Sequence, residues 1–234
     1  MKPERPSQAA ILEFGEVVFN SGTARFDLDL LPGDLALFEL GETVPLSWLG
    51  DAALGLVTPV GGEVRFRGMA WERQPIGEAE RCRRSVGRVW APEEEATWLQ
   101  NLDVDENIQL AQQFDPRQSH AEVSNRLISV AKRFGMNELP KMRPAGAKRR
   151  TLQVAQWVRA FLPKQLDLLI LDMPLRGAED EDALLLLQNV AEARARGVAV
   201  LWMEKSGTGW RDRGVEPTWH FPQCPAALLP EAVS

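Results

Sequence analysis

Asp172 closes an apolar run, Leu168-Leu169-Ile170-Leu171, and is followed by Met173-Pro174. A carboxylate at the end of a buried strand can hold a magnesium ion or accept hydrogen bonds from local amides. With no phosphate-binding segment beside it, hydrogen bonding to local amides is the favoured use. Ser47, just before Trp48-Leu49, offers a hydroxyl that can ligate a metal or cap a helix, and capping is favoured. The remaining reactive side chains are sparse. His120 and His220 are isolated, with no nucleophile or second ligand near either in sequence. Cys82 and Cys224 stand far apart with no Cys or His at ligand spacing, so neither a zinc site nor a disulfide framework is indicated and a reducing compartment fits. Tyr is absent, which removes tyrosine chemistry altogether.

Charge is distributed in clusters. Arg81, Arg83, Arg84 and Arg88 stand against Glu93-Glu94-Glu95, a pattern expected of a salt-bridged outer face rather than a docking surface. Lys148-Arg149-Arg150 opens a helical stretch, where the helix dipole disfavours positive charge, and so hints at an acidic partner. The chain of 234 residues carries Lys+Arg 27 against Asp+Glu 33, a formal charge of -6, which gives no general attraction to nucleic acid or anionic lipid. Hydrophobic residues at 44% and charged residues at 26% are ordinary for a globular protein. The length suits one domain with a subdomain. The N-terminal stretch Met1-Lys2-Pro3-Glu4-Arg5-Pro6 leads into no apolar core of a signal peptide, and no run reaches the roughly 18 apolar residues of a membrane span. The expectation is a cytoplasmic chain without direct membrane insertion.

The elements that must position these residues follow from periodicity. Residues 11–38 read as two or three short antiparallel strands with tight turns, ending in the buried strand Leu35-Ala36-Leu37-Phe38. Gly41 to Gly50 reads as a loop and a helix start, and Glu63-Val64-Arg65-Phe66 alternates as a half-buried strand. From about 93 to 146 the composition turns helical, with one stripe of Ile108, Leu110, Ala111 and Phe114 and another of Val123, Leu127, Val130, Ala131 and Phe134. A helix over 152–161, the strand 168–171, a helix over 183–195 and the strand 198–202 then give the pattern of a parallel sheet covered on both faces. Prolines 217, 222, 225 and 230 suggest that 214–234 is an irregular C-terminal arm.

With these elements placed, Gly55-Leu56-Val57-Thr58-Pro59-Val60-Gly61-Gly62-Glu63-Val64-Arg65-Phe66-Arg67-Gly68 resembles the segment after the phosphate-binding loop in ATP-binding subunits of ABC transporters. The resemblance continues in order. Val86-Gly87-Arg88-Val89-Trp90 is similar to the strand into the Q-loop, and Leu102-Asp103-Val104-Asp105-Glu106-Asn107-Ile108 to the start of the helical subdomain. Leu168 to Pro174 is similar to the Walker B strand, and Gly197 to Glu204 to the strand that ends in the switch histidine. The resemblance covers residues 11–207 and implies an α/β, P-loop NTPase-like ABC ATPase core with a small antiparallel β subdomain and a helical subdomain, all within one domain over 1–234.

The same resemblance implies a nucleotide site whose motifs are degenerate. The Walker A loop needs glycine amides, a lysine for the phosphates and Ser/Thr for magnesium. Here Gly41-Glu42-Thr43-Val44-Pro45-Leu46-Ser47 is one residue short, has Leu46 at the lysine and Pro45 where an amide should donate, and keeps only Ser47. Ala91 stands at the Q-loop glutamine, Met173 at the catalytic glutamate and Glu204 at the switch histidine, where a carboxylate would repel phosphate. Gly146, in Arg143-Pro144-Ala145-Gly146-Ala147, stands in place of the signature motif. Asp172 survives. Catalytic residues are thus expected to be none, and the family's ATP and Mg are not expected to bind. What the resemblance implies is a pseudo-ATPase: a structural or regulatory partner of a membrane permease and of an intact or identical ABC subunit, peripheral on the inner face of a membrane. Two rivals remain, a subunit that still binds ATP in a composite interface and a stand-alone module that reuses the fold. Trp90 and Trp98 bracket the Q-loop region, which in the family receives the permease, and would mark that interface if exposed. Trp202 and Met203 are expected to fill the volume left without nucleotide.

Overall fold

The computed structural model describes residues 9–41, 47–91, 97–205 and 210–229. Three strands come first, β1 (Leu12–Val18), β2 (Phe26–Leu30) and β3 (Leu35–Leu40), followed by the short helix α1 (Trp48–Ala53). Next are β4 (Gly61–Phe66), β5 (Met69–Ala70), α2 (Ile76–Arg83) and β6 (Val86–Val89). The helices α3 (Val104–Gln113), α4 (His120–Arg133) and α5 (Arg149–Phe161) precede β7 (Leu168–Asp172), α6 (Asp180–Ala195), β8 (Ala199–Lys205) and β9 (Trp219–Phe221). Among the described residues they form an antiparallel sheet ordered β2-β1-β4-β5 and a sheet ordered β6-β7-β8-β3-β9 whose neighbours all run parallel.

The side-chain alternation of the parallel strands divides the core between two faces. Leu35, Leu37, Leu169, Leu171, Val200 and Trp202 turn toward α3 to α6. Ala36, Phe38, Leu168, Ile170, Leu201 and Met203 turn toward α1 and the antiparallel sheet. Every residue of β7 is buried, so its unbroken apolar run is what a strand covered on both faces requires. Val104, Ile108, Leu127, Val130 and Phe134 of α3 and α4 belong to the same core as α5 and α6.

Two expectations are corrected. The 214–234 arm is not wholly irregular: β9 adds to the sheet edge beside β3, and Phe221 stacks on Phe38 with ring centroids 4.4 Å apart. Its flanking prolines lack an N–H and keep the strand to three residues, too short to leave a periodic signal. In α3 the buried positions are Val104, Asn107, Ile108 and Gln112, whereas Ala111 is exposed and Phe114 is 72% exposed. Asn107 is buried because its amide donates to the carbonyls of Leu99, Leu102 and Asp103 and its Oδ1 accepts from the Leu99 N–H.

Gly55 ends α1 in a Schellman turn, with φ +63, the Leu56 N–H on the Asp51 carbonyl and the Gly55 N–H on that of Ala52. A Cβ there would lie 2.3 Å from Trp71 Cγ. Gly55→Ala is therefore expected to cost about 2 kcal/mol, from left-handed backbone strain together with overpacking. Chemical denaturation checks this, with an unchanged midpoint as the contrary result.

Candidate functional site

The guanidinium of Arg88, on the centre of β6, is turned into the protein and only 6% exposed. Its Nε donates to Asp172 Oδ2 at the end of β7 at 3.2 Å, its Nη1 to Asp51 on α1, and its Nη2 to the Ser47 carbonyl at 2.9 Å. The indole of Trp90 stands 5.0 Å from it. Gly50 makes this approach possible, since a Cβ there would meet Arg88 Nη2 at 2.8 Å and Ile170 Cγ2 at 3.1 Å. One cation thus joins β6, β7 and the start of α1. Asp172 has no solvent exposure, so its charge is compensated inside a low-dielectric region where an unpaired carboxylate would be costly.

Arg88 changes how several candidate residues are understood. The carboxylate of Asp172 is ion-paired with Arg88, a partner the sequence reading did not name. Ser47 does occupy the N-cap position of α1, but its hydroxyl makes no capping bond, and its carbonyl oxygen serves Arg88 instead. The arginine cluster is not one outer face. Arg88 points inward, Arg83 lies over Trp71 and donates to the Leu54 carbonyl, and Arg81 pairs with Glu78. Arg150 pairs with Asp182 and Glu179 of this chain, so that charge has an internal partner. Glu93, Glu94 and Glu95 lie outside the described residues, as do Leu46, Glu42, Thr43, Val44 and Pro45.

Met173 is 1% exposed, takes a left-handed φ of 44 and donates its N–H to the Met203 carbonyl. Ala91 is fully buried. Glu204 is 3% exposed and accepts from Trp202 Nε1 at 2.9 Å. Trp202 and Met203 have no exposure at all. Gly41 is exposed, with its carbonyl receiving Lys205 Nζ at 3.4 Å. Gly146 is exposed at the end of the turn Pro144–Gly146, whose Pro144 is buried. Trp98 is buried and Trp90 half-buried, so Trp98 offers no open surface.

The structure therefore gathers Ser47 and Asp172 around Arg88 and sets Met173 near the Pro144–Gly146 turn, while Gly41 stands apart at the surface. Asp51, Gly50 and Arg88 were not legible as site residues. The available signal was Arg88 itself, a charged residue inside a short apolar strand. A magnesium ion approaching Asp172 would share that carboxylate with the Arg88 guanidinium, which holds Oδ2.

No family model matches the chain. Among curated proteins, ribose/galactose/methyl galactoside import ATP-binding protein 1 of Rhizobium etli is 23% identical over 159 residues, covering 64% of this chain and 29% of that protein, so the chain spans less than a third of its length. Solved structures carry the likeness further. The ATP-binding subunit of an ABC transporter aligns with a TM-score of 0.67 at 21% identity, over 84% of this chain and 80% of the other. The cbiO1 protein of Clostridium perfringens, part of the ABC transporter complex cbiONQ, aligns at 0.65 with 16% identity, over 85% and 79%. A dimeric bacterial ABC transporter cassette aligns at 0.69 with 16% identity, over 82% and 87%. The fold is that of ABC ATP-binding subunits.

Proposed function

We propose that this chain, folded as an ABC-type ATP-binding subunit, is a catalytically degenerate one that acts as a structural or regulatory partner in a transporter complex. The observation that supports this reading is the Arg88 guanidinium held by Asp172, Asp51 and the Ser47 carbonyl. The resemblance puts Ser47 and Asp172 where an active subunit meets magnesium and phosphate; here the Asp172 carboxylate and the Ser47 carbonyl meet an internal cation instead. The residue changes point the same way. Met173 cannot accept a proton from water, and Leu46 brings no charge to a phosphate. The partners that suit such a chain are a membrane permease and an intact or identical ABC subunit, which would hold it peripherally on the inner face of a membrane. No described helix is long and apolar enough to cross one.

In this reading assembly does not use nucleotide as a bridge. The purified chain is expected to sediment identically with and without Mg-ATP. Any self-association through Lys148 and Arg149 should weaken as salt rises, since exposed pairs contribute about 0–1 kcal/mol each and are screened. A monomer that dimerises only when Mg-ATP is added would overturn the proposal, because only a working nucleotide site could couple the two.

A further inference from the structure

A cavity of about 780 Å³ opens between the ends of β6 and β7, the start of α5 and the Pro144–Gly146 turn. This is within the size range of sites for small organic ligands, roughly 300–1,000 Å³. Its apolar wall includes Trp90, Trp98, Leu152, Met173 and Pro144. Its polar lining comes from Gln100, Gln153, Gln156 and Arg149. Gln156, 6% exposed, lines the cavity; its Oε1 accepts from the Trp90 N–H at 3.0 Å, which fixes the amide and leaves the Nε2 donors facing the cavity without a partner among the described residues. Arg149 also lines it and forms no ion pair among the described residues, since Asp182 and Glu179 are taken by Arg150.

Behind the wall lies a second positive charge. The Arg159 guanidinium is 4.9 Å from the Trp90 ring centre and 4.6 Å from that of Trp98. Its Nη1 donates to the Thr97 carbonyl, while Nε and Nη2 have no partner. Burial pushes its pKa down to about 10, which still leaves it charged at neutral pH. No described carboxylate offsets either arginine within ion-pair distance. Among the described residues the cavity therefore combines an apolar wall, the unspent N–H donors of Gln156 and the unpaired guanidinium of Arg149 in a site partly shielded from water, where such charge is felt strongly.

We propose that this cavity is a binding site for a small aromatic carboxylate. The ring would lie against Leu152 and Met173, and the carboxylate would accept from Gln156 Nε2 and pair with Arg149. The inference is independent of whether the chain binds nucleotide.

Calorimetric titration of the purified chain with naphthoate tests it, with naphthamide as the neutral analogue. The expected result is a saturable one-to-one isotherm for naphthoate and binding at least tenfold weaker for naphthamide. Arg149→Ala should weaken naphthoate at least tenfold, whereas Lys132→Ala, which removes an equal charge at the far end of α4, should leave it unchanged. Gln156→Glu keeps the acceptor for the Trp90 N–H but turns the donors into a negative oxygen, and should abolish binding. If that variant fails to fold, the exposed Arg149 carries the test alone. No saturable heat with naphthoate at millimolar concentration, equal affinity for naphthamide, or full affinity in Arg149→Ala would each overturn the proposal.

Discussion

Arg88→Met is expected to destabilise the protein by about 3–5 kcal/mol, the range found when one partner of a buried ion pair is removed and the other stays charged. For a chain of this size that corresponds to a fall in Tm of roughly 10 °C. The magnitude comes mainly from Asp172, which has no exposure, rather than from Asp51, whose side chain is 31% exposed and so partly screened by water. The triple change Arg88→Met, Asp51→Asn and Asp172→Asn removes the charges together and should recover most of the loss, because a neutral set of similar volume has no uncompensated ion. Thermal unfolding of the single and triple variants reads both effects. A single variant that melts with the parent would mean that Arg88 does not hold β6, β7 and α1 together.

Gly87→Ala should be of similar severity. A Cβ at Gly87 would stand 1.9 Å from the Ala160 carbonyl oxygen and 2.7 Å from its carbon. That neighbour is helix backbone and cannot rotate aside, so β6 and α5 would have to separate, costing about 3 kcal/mol or more. The displacement would also move Arg88 on β6 and Gln156 and Arg159 on α5. Gly77→Ala is the control: no atom lies within 4 Å of its added Cβ, and inside α2 the change should stabilise by about 0.5–1 kcal/mol. Denaturant midpoints for the pair measure the contrast, and equal midpoints would contradict this packing of α5 on β6.

How far the fold could be read from sequence differs by element. β7 and β8 are legible because parallel strands covered on both faces must be apolar throughout, and Leu168 to Leu171 and Val198 to Trp202 have that form. The α4 stripe is legible because Val123, Leu127, Val130 and Ala131 recur at helical spacing and are all buried. The α3 stripe is misread because hydropathy assigns Ala111 and Phe114 inward, while Asn107 takes a buried position by satisfying four hydrogen bonds. β9 gives no periodic signal at three residues. The candidate site is the least legible part. Arg88 lies 84 residues from Asp172 and 37 from Asp51, and beside three other arginines it has the pattern of a surface cluster. Only the order of the parallel sheet, which puts β6 against β7, turns it inward to a carboxylate.

The central proposal is that this chain works without nucleotide in an ABC-type fold, with the Arg88 guanidinium paired to the Asp172 carboxylate. Titrating the purified chain with Mg-ATP to millimolar concentration in a calorimeter tests it most directly. The account predicts no saturable heat, from the parent and from Met173→Glu alike, since one restored carboxylate supplies neither the Walker A lysine nor its glycine amides. A clear saturable isotherm from the parent chain would contradict it.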